Sequence, residues 1–278
     1  MREPTEREFR SLATMIHDAS GIALNGTKRA LVTRRLSPRI RALGLKGVGD
    51  YIALIAADAT GNELVRLLDL IATNETHFFR EPQHFEYLAT QVFPQWAQAA
   101  SAGRRAHVVR AWSAACSTGQ EPYSLAMELL THLPADDGWR LDVLGTDIST
   151  TALATARRAE WPIDRAKEIP TAHLKRFMLR GIGERAGRMR AARELRDAVR
   201  FERLNLNDAQ YDVPGTFDLI FCRNVLIYFT PEGRAAVIDR LIPRLAPDGL
   251  LFVGHAESLH AHRDRLRPLL PTVYARCA

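Results

Sequence analysis

From about residue 107 onward, short apolar runs alternate with amphipathic stretches, and no other feature of the chain limits its fold so sharply. HVVRAWSA (107–114), RLDVLGTD (140–147), FDLIFCR (217–223), LLFVGH (250–255) and TVYAR (272–276) have the length and composition of buried strands. Helical spacing fills intervals between them: from Pro122, across STTALATARRA, and from Pro231 to Leu245. This alternation specifies an α/β fold, a doubly wound, mostly parallel sheet with helices on both faces. Residues 1–72 have a different rhythm. Phe9, Leu12 and Ile16, then Leu64, Leu67, Leu68 and Ile71, recur at helical spacing, so a small all-helical domain precedes the sheet. Within it, Val32, Leu36, Ile40 and Leu43 share one stripe, but Ser37-Pro38 predicts either a kink or a break with Ser37 capping a second helix. Residues 170–204 interrupt the alternation with a Gly- and Arg-rich loop too long for an ordinary connection. The expected organisation is therefore 1–72 helical, 73–278 α/β, with 170–204 as a small inserted subdomain.

Composition narrows the class. With 46% hydrophobic residues the chain can build a core, and no run approaches the roughly 18 apolar residues of a membrane span. The start, MREPTEREFRSL, is charged and has no signal-peptide core. Cys116, Cys222 and Cys277 are scattered, which predicts neither a disulfide framework nor a zinc site and fits a reducing cytoplasm. His255, His260 and His262 cluster, but no Cys or spaced acid completes a metal site, so no metal is expected.

The net charge of +6 points to an acidic partner. No acid occurs between Asp18 and Asp50, a window holding Lys28, Arg29, Arg34, Arg35, Arg39, Arg41 and Lys46. A solvated helix face accounts for most charge runs. The absence of any acid across this window weakens that reading and leaves Arg34, Arg35, Arg39 and Arg41 as candidate contacts for an acidic partner. Nucleic acid is not expected as the partner, because the basic residues lack interleaved aromatics for base stacking.

The stretch RAWSAACSTGQEPYSLAM (110–127) reads as strand, small-residue turn and helix, the entry to a nucleotide site in an open α/β sheet. Its single turn glycine, Gly119, leaves out the GxGxxG of a pyrophosphate binder, which disfavours an NAD(P)-dependent oxidoreductase. Asp147 ends the next strand 28 residues later, where an acid accepts hydrogen bonds from ribose hydroxyls. A ribose without a pyrophosphate fits S-adenosylmethionine, whose cationic sulfonium suits a nearby carboxylate such as Glu121. On these residues alone, Glu121 is equally a charge at a helix N-terminus and Asp147 a turn former.

Six ordered motifs carry the reading further: TNETHFFRE, WSAACSTGQEPYSLAM, GTDIS, VRFERLNL, FDLIFCRNVLIYF and GLLFVGHAESL. Together with KRALVTRRLSPRIRALGL near the start and TVYARC at the end, they resemble the CheR family of chemotaxis receptor methyltransferases over essentially the whole chain. The resemblance implies a class I S-adenosylmethionine-dependent methyltransferase domain, a helical N-terminal domain and an inserted β-subdomain. It implies transfer of methyl groups to glutamate carboxylates on cytoplasmic chemoreceptor helices, leaving S-adenosylhomocysteine. Cofactor contacts carry over to Asn74, Thr76, Arg80, Glu121, Asp147, the pair Asn205-Leu206 and the pair Arg223-Asn224. Arg80 and Tyr228 are the residues expected to act on the incoming carboxylate. A monomer is expected, with no membrane insertion. Three departures stand out. Ala115 replaces a glycine of SAGCSTGEEP, which strains the turn if that backbone needs positive φ; Gln120 replaces a glutamate; and Pro38 interrupts a basic helix. The first two keep a second reading in play, a non-catalytic signalling adaptor that binds the same cofactor.

Overall fold

The computed structural model describes residues 3–277. Four helices open the chain: Glu6–Ser20, Arg29–Ala42, Val48–Ala57 and Asn62–Ile71. Thr5 and Glu8 close a capping box on the first, satisfying N–H groups that a helix start leaves open. Phe9, Leu12, Ile16, Val32, Leu36, Ile40, Leu67, Leu68 and Ile71 make its buried core, with Tyr51 among them. Gly21 ends the first helix in a left-handed turn, φ 73°, and a Cβ there would lie 2.6 Å from the Phe229 ring. Glycine is therefore required where the helical domain meets the sheet domain.

The helix Arg29–Ala42 runs unbroken through Pro38, so Ser37 caps no second helix. Ser37 instead donates its hydroxyl to the Thr33 carbonyl at 2.6 Å. Leu36 and Ile40, both fully buried, anchor the helix on either side of Pro38. Their packing outweighs the roughly 3 kcal/mol cost of an interior proline.

Ten strands follow: β1 Val108–Ala114, β2 Arg140–Asp147, β3 Glu160–Pro162, β4 Met178–Arg180, β5 Arg188–Ala191, β6 Val199–Arg203, β7 Phe217–Cys222, β8 Leu245–Val253, β9 Leu266–Leu270 and β10 Val273–Arg276. The large sheet has the order β6-β2-β1-β7-β8-β10-β9. Its first five strands are parallel, and β10 runs antiparallel to both β8 and β9. The fold is thus the α/β methyltransferase architecture expected, with two strands, β6 and β9, that alternation alone did not disclose. The chain winds outward from β1 in one direction and from β7 in the other. That reversal opens a crevice beyond their carboxyl ends.

The insertion is a three-stranded antiparallel sheet, β3-β5-β4, spanning Glu160 to Ala191. The expected range 170–204 is therefore displaced. It begins too late because β3 has three residues, one of them Pro162, and shows no periodicity. It ends too late because 199–203 is β6, paired with β2 at the edge of the large sheet.

Candidate active site

A cleft with about 1260 Å³ of free space, its mouth included, lies at the crevice between β1 and β7. Asn74, Thr76 and Arg80 line it from the interdomain segment, Glu121 from the first turn of the helix after β1, and Asp147 from the end of β2. Asn205-Leu206, Arg223-Asn224 and Tyr228 complete the inner wall. The helical domain supplies the facing wall with Ile22, Leu31, Val32 and Arg35 among others.

The turn after β1 is tightly wound. Ala115 and Cys116 both donate their N–H to the Thr146 carbonyl at 2.8 Å. Ala115, Ser117 and Gly119 all have positive φ, at 102°, 51° and 97°. The condition for strain at Ala115 is thus met, since its Cβ crowds the backbone in that region at a cost of roughly 1–2 kcal/mol. Ala115→Gly is expected to stabilise the protein by about 1 kcal/mol, the relieved strain exceeding the roughly 0.4–1 kcal/mol of added unfolded-chain entropy. A urea midpoint that falls on this substitution would refute the strain.

Asp147 accepts N–H bonds from Ser117 and Ser149, each at 2.8 Å. Burial pushes its carboxyl up, against the downward pull of those amides. Glu121 accepts from the Ser113 hydroxyl at 2.7 Å and from Arg223 Nε at 2.8 Å. It is both a first-turn charge of the helix Gln120–His132 and a wall of the cleft.

Arg223 is spent largely on the protein. Its side chain is 1% exposed and also donates to His84 Nδ1 at 2.8 Å and to the Arg80 carbonyl at 2.7 Å. Asn224, at φ 58°, is fixed by its N–H to Glu257 and its amide to Glu81. The Asn205 amide reaches the Ala19 carbonyl at 2.7 Å, joining the two domains, while the Leu206 carbonyl is taken by Tyr211 and Arg240. Arg80 and Tyr228 are less committed. Arg80 donates to the Glu75 carbonyl at 3.2 Å, and among the described residues no carboxylate pairs with it. Tyr228 fixes its carbonyl to the Ala23 N–H at 2.8 Å, and its hydroxyl has no protein partner among the described residues.

The basic helix divides differently from the expectation. Arg39 forms a bidentate pair with Glu63, Nε–Oε1 2.9 Å, whose carboxylate also accepts from the Tyr51 hydroxyl. Its guanidinium is paired within the helical domain while its side chain stays 31% exposed. Arg35 donates to the Ile71 and Ala72 carbonyls and lines the cleft. Arg34 and Arg41 are the two exposed members of the four, without an ion pair among the described residues.

Three residues that sequence reasoning passed over hold this site. Glu257, 5% exposed, accepts the N–H groups of Asn224, Ile227 and Gly254 and so fixes the loop that carries Tyr228. Glu81 and His84 brace Arg223. Burial, with the charge of Arg223, pushes the His84 imidazole down to about 4, so it is neutral at neutral pH. Its Nδ1 accepts from Arg223 and its Nε2 bonds the Thr272 hydroxyl at 2.8 Å. Only the motifs GLLFVGHAESL and TNETHFFRE, as bare strings, contained Glu257 and Glu81, and His84 lies three residues past the second.

Residues 74–275 match the family model for the CheR methyltransferase SAM-binding domain, and residues 7–72 match its all-alpha domain. The chain belongs to the CheR methyltransferase family. The chemotaxis protein methyltransferase of Escherichia coli K12 is 40% identical over 271 residues, covering 98% of this chain and 91% of that one. Chemotaxis protein methyltransferase 2 of Pseudomonas aeruginosa is 36% identical over 271 residues, covering 98% and 93%. The Borreliella burgdorferi chemotaxis protein methyltransferase is 32% identical over 273 residues, covering 98% and 95%.

This CheR methyltransferase uses S-adenosylmethionine, and the cleft residues fit it. The Ser117 hydroxyl is buried against the cleft with no partner among the described residues, an orphan that a polar ligand would satisfy. Asp147 retains lone pairs beyond its two backbone bonds. No helix among the described residues is long and apolar enough to cross a membrane.

Proposed function

We propose that this protein methylates glutamate side chains on the cytoplasmic helices of chemoreceptors, forming γ-methyl esters, with Arg80 and Tyr228 acting on the incoming carboxylate. S-Adenosylmethionine supplies the methyl on an electron-poor sulfonium, so that an O–C bond forms as the S–C bond breaks and its electron pair stays on sulfur. A glutamate carboxylate is already ionised at neutral pH, with an ordinary pKa of about 4.3, so no general base is needed. The protein's task is placement, which for near-attack geometry means about 3–3.5 Å between reacting atoms.

The observation that carries this reading is the division of labour among the cleft's charges. Glu121 is paired with Arg223, and Asp147 is held by backbone amides. Arg80 and Arg35 both line the cleft without a carboxylate partner among the described residues, but Arg35 is spent on the Ile71 and Ala72 carbonyls, whereas Arg80 has a single 3.2 Å bond to the Glu75 carbonyl. An incoming carboxylate fills that deficiency and is oriented by it. The free Tyr228 hydroxyl is a second donor on the same wall. Asn74, Thr76, Asp147 and the backbone around Asn205-Leu206 hold the cofactor, and Glu121 faces its sulfonium side. Outside the cleft, Arg34 and Arg41 attract the acidic receptor helix, an attraction that salt screens beyond about 8–10 Å. The same reading has the protein act in the cytoplasm as a monomer.

The test is to incubate the purified protein with radiolabelled S-adenosylmethionine and a receptor cytoplasmic fragment. Base-labile, volatile methanol released from the fragment is expected, with initial rates that fall as salt rises. Binding of S-adenosylhomocysteine with no incorporation into any receptor fragment would select the adaptor reading, which the strained Ala115 and the substituted Gln120 keep physically sensible.

A further inference from the structure

We infer that Glu81 is a positioning residue for Arg80, setting the guanidinium against the substrate carboxylate by locking the backbone on both sides of it. The inference rests on the assignment of Arg80 to the substrate, and it names what holds Arg80 there.

The geometry around Arg80 is unusual. Phe79 and Glu81, its two chain neighbours, both occupy the left-handed region, at φ 52° and 58°. Neither is glycine, and each costs roughly 1–2 kcal/mol relative to ordinary backbone. Such strain persists only where surrounding contacts over-determine it. On the Phe79 side, its N–H donates to the Ser124 hydroxyl at 3.0 Å and its ring packs against Phe85, centroids 5.1 Å apart. On the other side, the Glu81 carbonyl accepts the His84 N–H at 3.0 Å, and the Glu81 carboxylate is the side-chain restraint. Oε1 accepts from the Asn224 amide at 3.2 Å and the His255 N–H at 3.3 Å. Oε2 lies 3.5 Å from Arg223 Nη1, and Arg223 Nη2 donates to the Arg80 carbonyl. The peptide bearing Arg80 is thus tied to the segments just after β7 and β8 in two ways, directly by Arg223 at its carbonyl and through the Glu81 carboxylate, which is 9% exposed.

That carboxylate stays charged. Burial alone would raise it, but Arg223, the Asn224 amide and the His255 N–H together hold it below the ordinary carboxylate range. His84, neutral between Glu81 and Arg223, lets both charges face each other without adding a third. Glu81 itself stands outside the cleft wall, so its effect on the reaction passes through the backbone to Arg80.

A double-mutant cycle separates positioning from general support. Arg80→Ala is expected to lower kcat about 100-fold, the usual size for one lost oriented donor. Glu81→Gln, which removes the charge opposite Arg223, is expected to lower kcat about 10-fold or more, with S-adenosylhomocysteine affinity within about threefold of the parent. In the Arg80→Ala background, Glu81→Gln is expected to cost nothing further. Additive losses, or an unchanged kcat in Glu81→Gln beside a slow Arg80→Ala, would overturn the inference. If Arg80→Ala itself keeps full turnover, the assignment of Arg80 fails, and the inference fails with it for that separately visible reason. Glu81→Asp keeps the charge but draws it back by one methylene. Should Glu81→Gln fold poorly, the Asp variant is expected to show the same kcat loss only when Arg80 is present.

Discussion

Asp147→Ala is expected to weaken binding of S-adenosylhomocysteine at least about 100-fold, which corresponds to roughly 2.7 kcal/mol. Two losses combine. On the proposed placement of the cofactor, a charged acceptor for ribose hydroxyls disappears, each such bond being worth about 1.5–3 kcal/mol. The Ser117 N–H, now donating to Asp147 at 2.8 Å, also loses its anchor. The turn from Ala115 to Gly119 would then relax from a conformation it adopts under strain. Calorimetric titration measures the change directly. An affinity within threefold of the parent would mean that the ribose lies elsewhere.

Arg223→Met is expected to be the most destabilising substitution at the site, by about 3–5 kcal/mol, because it removes one partner from a buried charge network. Methionine fills the volume but leaves Glu121 and Glu81 without their shared cation, and the Arg80 carbonyl and His84 Nδ1 without a donor. In a chain of this size the melting temperature should fall by roughly 10 °C. The pH dependence has a definite sign. Glu81 is held below the ordinary carboxylate range, so its contribution is fully present above that range and is lost as pH falls through its lowered value. The gap between parent and variant should therefore be widest near neutrality and close in acid. A gap independent of pH would indicate lost packing alone.

The cleft was more legible in the sequence than the frame that holds it. Glu121 and Asp147 follow directly from strand ends and a small-residue turn, because ligand sites in open α/β sheets are local to those ends. Arg80 and Tyr228 needed the family resemblance to stand out from ordinary polar loop residues. Glu81, His84 and Glu257 act largely through distant partners: Asn224 lies 33 positions from Glu257, His255 174 from Glu81 and Thr272 188 from His84. No spacing rule reaches that far. The pairing of Arg39 was hidden for the same reason: a basic residue in an acid-free segment finds Glu63 in another helix, 24 residues on. Pro38 misled in the opposite direction, since local propensity lost to the buried Leu36 and Ile40 flanking it. The insertion was placed late because a three-residue strand carries no pattern, and β6 was absorbed into it because its pairing with β2 is non-local.

The helix Arg29–Ala42 touches two environments at once. Val32 and Arg35 face the cleft, while Arg34 and Arg41 face solvent. Its domain is fastened to the sheet domain at few points, among them the Ile22–Phe229 bridge, Asn205 to Ala19, and Thr150 to Asp69. Residues of both domains line the cleft, so a ligand filling it would touch both. If a partner on the outer arginines shifts this helix, reciprocity requires that it change how tightly that ligand is held by the same factor as the ligand changes the partner's binding. An acidic helix docking on the solvent face would thereby be felt inside the cleft through one rigid rod, with no residue of its own reaching in.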